Sequence, residues 1–198
     1  VAGSKEGQDV FVQKLLKSPG WFLDIGCNDP ESGSNSVRLE RKGWTGLLLD
    51  RDAHMVEACK QRRSSPAEVF DCKEANRNDW LDLLAKHEMP RTIDYLSLDV
   101  DEANVQVVQN FPFELYEFKV MTIETDVYRY GDRIKRPMRA IVDRMPKYFC
   151  ILDDGMVKNL IWEDWFINTN YLKPRHSGFK KRNWVDMIAS INSTPLML

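Results

Sequence analysis

The sequence predicts an α/β protein, a doubly wound and mostly parallel sheet closed by a C-terminal antiparallel hairpin. Three observations predict it. Short apolar runs alternate with amphipathic helical stretches, several runs are apolar on both faces, and most end on or beside an acid. Strands alternating with helices pair in parallel through right-handed crossovers, and a strand without a polar face needs cover on both sides.

Taken in order, strands are expected at 21–25, 45–50, 67–71, 93–99 and 119–125. Asp52 offers an N-cap to a helix whose face carries Met55, Val56 and Cys59. Trp80, Leu81 and Leu84 mark the next helix, and Val105 and Val108 a third. Pro137 suits the first turn of a fourth, where Met138, Ile141, Val142 and Met145 repeat at helical spacing. "KYFCIL", "DDG" and "MVKNLIW" read as strand, turn and strand. The basic run 173–183 reads as a loop before a short amphipathic stretch with Trp184, Met187, Ile188 and Ile191. One domain of 198 residues is expected, with its core over about 8–168.

Composition narrows the partners. Hydrophobic residues make up 43% and charged residues 29%, as in ordinary globular proteins, and a formal charge of −2 argues against general nucleic-acid binding. Cys27, Cys59, Cys72 and Cys150 lie far apart, without a C-x-x-C pair or clustered His, so they read as reduced thiols of a cytoplasmic protein, with no zinc site. No apolar run approaches the ~18 residues of a membrane span, so no membrane partner is expected. Oligomeric state is not legible.

The stretch "FLDIGCNDPESGSNS" points to chemistry. Ligands of open parallel sheets sit outside the carboxyl ends of the strands, where Gly26 lets the backbone approach closely. A dinucleotide loop wants G-x-G-x-x-G; here two of the glycines are missing, and Asp29 and Glu31 would repel a pyrophosphate. An acidic loop suits a cationic ligand, such as the amino group and sulfonium of S-adenosylmethionine. Asp50, at the tip of the second strand, is placed to accept from ribose hydroxyls, with Arg51 next to it. Asp71 and the Cys72 amide are placed for an adenine edge. The expected cofactor set is therefore Asp24, Gly26, Cys27, Asn28, Asp50, Arg51, Asp71 and Cys72, with the Cys27 side chain a small filler rather than a nucleophile. Asp99, Asp101 and Glu124, at the ends of the fourth and fifth strands, are the expected catalytic acids. Crowded carboxylates raise one another's pKa, which suits a general base, and they also suit a hard cation.

The runs "QDVFVQKLL", "GWFLDIGCNDPESGSNSVRLERKGWTGLLLDRD", "IDYLSLDVDE", "TIETDVY" and "IWEDWFIN" resemble, in this order, the FkbM-type class I methyltransferases, from about Gln8 to about Asn168. The resemblance implies a Rossmann-like class I methyltransferase sandwich. It also implies S-adenosylmethionine over the first two strands and methyl transfer to an oxygen of a small-molecule or glycan acceptor. Asp24 and Gly26 match the family's first motif and Asp50 its ribose acid; Pro30 stands where the family usually has glycine. "ILDDG" is similar to an element of metal-dependent sugar O-methyltransferases, which would make Asp101, Asp153 and Asp154 a metal set. The competing reading makes Asp-Asp-Gly the hairpin turn, with no metal.

Two other functions compete. One is a non-catalytic binding module that keeps the fold. The other is a nicotinamide-dependent oxidoreductase, against which the missing glycines and the absence of a Tyr-x-x-x-Lys dyad both speak. His176, among Lys173, Arg175, Lys180, Lys181 and Arg182, marks either a patch for a phosphorylated acceptor or a solvated tail. Trp162, Trp165 and Phe166 read as packing, and Tyr128 and Tyr130 as neighbours of the acceptor pocket.

Overall fold

The computed structural model describes residues 3–157 and 160–172. Its main sheet holds β1 (Trp21–Ile25), β2 (Thr45–Asp50), β3 (Ala67–Val69), β4 (Thr92–Leu98), β5 (Glu117–Glu124), β6 (Tyr148–Val157) and β7 (Leu160–Asn168). These lie in the order β3-β2-β1-β4-β5-β7-β6. The first five are parallel, while β7 runs antiparallel to both β5 and β6. Strand order reverses between β1 and β4, and the loops leaving these two strands part there, which opens a crevice at their carboxyl ends. A two-residue parallel pair, Gly3–Ser4 with Ser32–Gly33, ties the N-terminus to the loop after β1.

Alternation along the strands sorts the core into two layers. Leu23 and Ile25 of β1 join Leu47, Leu49, Trp80, Leu96, Met121 and Met138 on one face. Phe22 joins Phe11, Leu48, Val56, Tyr95 and Trp165 on the other. The second layer is closed by α1 (Gln8–Leu15), α2 (Val37–Glu40) and α3 (Ala53–Arg62), and the first by α4 (Arg77–Lys86), α5 (Asn104–Asn110) and α7 (Asp132–Val142); the single turn α6 (Val127–Tyr130) precedes α7. Asp52 caps α3 by accepting the His54 amide, as its position predicts, and Asn76 with Asp79 forms a capping box at α4.

Several local expectations fail. β3 stops at Val69, so Asp71 sits in the following turn. The buried faces of α4 and α5 carry Leu83 rather than Leu81, and Val107 rather than Val105. Pro137 lies inside α7, which starts at Asp132 directly after Gly131 ends α6 with φ 59°. Asp153, Asp154 and Gly155 belong to β6 and not to the hairpin turn. Register shifts between Leu152 and Gly155, and again between Gly155 and Met156, absorb the extra residues as bulges. Trp165 and Phe166 are fully buried, in keeping with packing. The basic run around His176 and the stretch with Trp184 fall outside the described residues. No helix is long and apolar enough to cross a membrane among the described residues.

Candidate functional site

At the carboxyl ends of β1, β2 and β4 lies a cleft of about 300 Å³, within the size range of small-ligand pockets. It is lined by Gly26, Asn28, Asp50, Arg51, Asp71, Cys72, Asp99 and Asp101, eight residues expected there, and by Met55, Phe70, Leu49 and Val100 as apolar walls. Its charge comes from Asp50, Asp52, Asp71, Asp99 and Asp101 against Arg51 and Lys73. A site so composed repels a pyrophosphate and attracts a cation. Asp29 and Glu31 do not line it. Asp29 instead accepts the Glu31 and Ser32 amides at 2.9 and 2.7 Å, and Glu31 pairs with Arg41 at 3.2 Å, so both serve the loop's own shape.

Asp50 holds the cleft's near wall. Its Oδ2 accepts the Asn28 amide at 2.9 Å and its Oδ1 the Asp52 amide at 2.9 Å, which fixes the carboxylate while each oxygen keeps a lone pair for a ligand hydroxyl. The Cys72 amide donates to the Phe70 carbonyl at 3.1 Å, so the expected donation from this amide to an adenine nitrogen is not available. Burial and the nearby Asp71 push the Cys72 thiol up to about 11.

Two residues expected to touch the cofactor lie behind the wall. Cys27 is buried with its Sγ 3.8 Å from Cys59 Sγ, and its amide donates to the Leu49 carbonyl. Asp24 is 2% exposed and accepts from the Ser36 hydroxyl. Burial raises its pKa against the lowering pull of Ser36 and Arg63.

Arg63 is the centre of this buried network, and nothing in the sequence pattern marks it. Its Nε donates to Glu40 at 3.0 Å, Nη1 to the Pro30 carbonyl and to Ser34 Oγ, each at 3.2 Å, and Nη2 to Ser36 Oγ at 3.0 Å. The loop after β1 thus closes around a guanidinium that takes the Pro30 carbonyl. Pro30 needs no amide donor here, so the departure from glycine at this position leaves the loop intact.

Past Asp99 the cleft adjoins a smaller cavity of about 60 Å³, walled by Gln8, Asn35, Asp99, Thr122, Glu124 and Glu163. Glu124 and Glu163 are register partners on β5 and β7. Burial first, then the Asp99 carboxylate, push Glu124 up to about 11, so it keeps its proton at neutral pH and donates rather than accepts. Glu163 is 5% exposed and takes a hydrogen bond from Gln8 Nε2 at 2.9 Å. Burial pushes it up to about 8. Tyr128 and Tyr130 line neither space, and Tyr128 is exposed.

Gln8 and Glu163 line the smaller cavity and are absent from the expected site, although the sequence carries a signal for them. Gln8 falls in register with Phe11, Val12 and Leu15 on the buried face of α1, and Glu163 alternates with Trp165 and Ile167 on one face of β7. A polar residue at an apolar position of either pattern is the mark. Because Glu163 stays protonated in the folded chain to about pH 8 but ionises near 4.5 when unfolded, the folded state binds the extra proton between these values. Stability therefore falls as pH rises through that window, by roughly 4 kcal/mol at 1.36 kcal/mol per pH unit. Glu163→Gln is expected to remove this slope, read from urea midpoints at pH 5 to 8; a wild-type-minus-variant difference that does not change with pH would show Glu163 to be solvated.

No protein-family model matches the chain, and no curated protein does. Solved structures do. The fold is similar to that of a TehB-like SAM-dependent methyltransferase from Corynebacterium glutamicum (TM-score 0.54, 12% identity, covering 83% of this chain and 89% of that one). An O-methyltransferase from Bacillus cereus in complex with SAH gives a TM-score of 0.59 at 15% identity over 82% of this chain and 80% of that one. A putative rRNA-methylase from Clostridium thermocellum gives 0.56 at 12% identity over 83% and 95%. The architecture is thus the Rossmann-like fold of the SAM-dependent methyltransferases. Within it the three structures are named for different acceptors or for none, so the fold by itself leaves the acceptor open.

Proposed function

We propose that the chain is an S-adenosylmethionine-dependent methyltransferase acting on a hydroxyl group of a small-molecule or glycan acceptor. The observation that carries this is the acid-lined cleft at the β1/β4 switch point, with Asp50 held at the tip of β2 and Asp99 shared with a second, smaller cavity. The order of motifs that resembles the FkbM-type enzymes supports it.

The residues present fit the cofactor. Asp50 would accept from the ribose diol, Met55 and Phe70 would offer apolar walls to the base, and the acids around the cleft would favour the sulfonium and amino charges. S-adenosylmethionine supplies an electrophilic methyl group. The chain's own contribution is alignment and exclusion of water. The smaller cavity, at about 60 Å³, has room for roughly two waters, so it takes one hydroxyl-bearing arm rather than a whole ring. Asn35, Thr122 and Gln8 orient that hydroxyl. Of the described acids lining the smaller cavity, Asp99 is the one that also lines the cleft, so it is placed to accept the acceptor's proton.

Thermal unfolding tests the reading. S-adenosylmethionine and S-adenosylhomocysteine at about 100 times Kd are expected to raise Tm by roughly 5–10 °C, NAD not at all, and Asp50→Ala to lose most of the rise. A gain of one methyl mass on hydroxylated acceptors, lost in Asp99→Asn, completes the test. Stabilisation by NAD alone, or by none of the three, would overturn the proposal in favour of an oxidoreductase or a binding module.

A further inference from the structure

We propose that Asp101, Glu124 and Asp126 bind a hard divalent cation, Mg²⁺ or Ca²⁺, at the lip between the cleft and the smaller cavity. A carboxylate oxygen of each lies within 4.8 Å of those of the other two, and Glu124, protonated in the ion-free chain, gives up its proton to water as the ion binds. Oxygens on opposite sides of a calcium ion stand about 4.6–5.2 Å apart and neighbouring ones closer, so one ion reaches all three with little movement.

An independent observation separates this cluster from ordinary surface acids. Asp126 is 3% exposed, and among the described residues its Oδ1 has no hydrogen-bond partner. A buried carboxylate oxygen left without a donor costs roughly 1–3 kcal/mol or more, so native chains supply one or bind an ion there. Asp101 is different: its side chain is 54% exposed, and Arg129, its cation among the described residues, stands 3.4 Å away with 58% of its own side chain exposed. So loose and solvated a pair contributes little, and an ion displaces the guanidinium at small cost. The result is two ligands from the end of β5, one from the loop after β4, and an outer face open to water, the partial cage in which Mg²⁺ keeps several of its waters.

Position gives the ion a role. Asp101 lines the cleft and Glu124 the smaller cavity, so an ion held by both faces the space where the two meet. There it would polarise the acceptor oxygen; this role rests on the methyltransferase reading, whereas the binding itself does not. The set differs from Asp101 with Asp153 and Asp154: the latter two belong to β6, while Glu124 and Asp126 are the acids beside Asp101 among the described residues.

The test uses the full chain and Mn²⁺ as the probe, followed by electron paramagnetic resonance, with Mg²⁺ and Ca²⁺ as competitors. One Mn²⁺ per chain is expected, displaced by either competitor. Asp126→Asn and Asp101→Asn should each weaken it by at least about tenfold, and Asp143→Asn, on a remote exposed acid, should not. Asp101 and Asp126 have φ of 52° and 45°, a conformation asparagine adopts readily, so both variants should fold, as urea midpoints would show. No bound Mn²⁺ at millimolar concentration, or equal loss in all three variants, overturns the proposal. The S-adenosylhomocysteine melt on the same samples separates the readings. A ligand shift without Mn²⁺ binding sinks the ion alone, and Mn²⁺ binding without a ligand shift upholds the ion and sinks the methyltransferase.

Discussion

Gly26→Ala is expected to destabilise the chain by roughly 3–5 kcal/mol and to abolish the cofactor-induced rise in Tm of whatever still folds. Two separate costs add. Gly26 has φ 86°, where an L-residue pays about 1 kcal/mol or more. An added Cβ would also stand 1.9 Å from the Asp99 backbone carbonyl. Neither partner can give way freely. The Gly26 amide is bonded to the Leu49 carbonyl at 2.8 Å, and the Asp99 amide to the Ile25 carbonyl at 2.9 Å, so each side is an extension of the parallel ladder. Relief requires that the loops after β1 and β4 separate, which moves Asp99 out of the wall shared by both cavities. Gly43→Ala is the control, because Gly43 has φ 87° and only Pro19, at 3.8 Å, near its missing Cβ. It should lose about 1 kcal/mol. Equal urea midpoints for the two variants would show that conformation alone, and not the close approach of two backbones, demands the glycine.

That result bears on how the sequence is read. Gly26 is legible as a site glycine because it follows an apolar run, but a ligand is not what excludes its side chain; the neighbouring strand's loop is. What was legible depends on local periodicity: an apolar run ending on an acid places Asp50, Asp99, Asp101 and Glu124 at one sheet edge whatever the loops do, and all four border the two cavities. Asp24 and Cys27 share that run, and the same pattern assigns them to the ligand. A strand's alternation turns the Asp24 side chain away from the face on which Leu23 and Ile25 pack, and the loop folds Cys27 back onto Cys59. The hairpin turn was misplaced because Asp-Asp-Gly suits a turn and a bulge equally, and only the partner strand's length decides between them.

Arg63 was illegible for another reason. "KQRRSS" reads as the solvated end of a helix, whereas its partners Pro30, Ser34, Ser36 and Glu40 come from the preceding loop and helix and share no period with it.

Arg63→Met is expected to cost about 3–5 kcal/mol, the loss associated with removing one partner of a buried, hydrogen-bonded ion pair. The side chain is 1% exposed and that of Glu40 is 9% exposed, so water cannot readily replace the guanidinium. Methionine fills much of the volume and none of the donor positions. Glu40 would keep its bonds from the Ser64 and Ser65 amides, while the Pro30 carbonyl would lose its guanidinium donor and the Ser36 hydroxyl would keep its bond to Asp24 but lose the one from Arg63. Arg63→Lys keeps the charge but presents a single ammonium where the fork reaches four acceptors, so it should recover less than half of the loss. The functional consequence follows from the same bonds. Gly33 and Asn35, on the loop that Arg63 closes, wall the smaller cavity, and Asn35 donates to Ser97 on β4 at 3.0 Å. Loosening the loop should raise KM for the acceptor more than Kd for S-adenosylhomocysteine, because the loop residues that line the cleft, Gly26 and Asn28, are tied to the Leu49 carbonyl and to Asp50 independently of Arg63. An Arg63→Met variant within about 1 kcal/mol of wild type, the range of an exposed ion pair, would refute the buried network; a uniform loss of both affinities would detach it from the acceptor side.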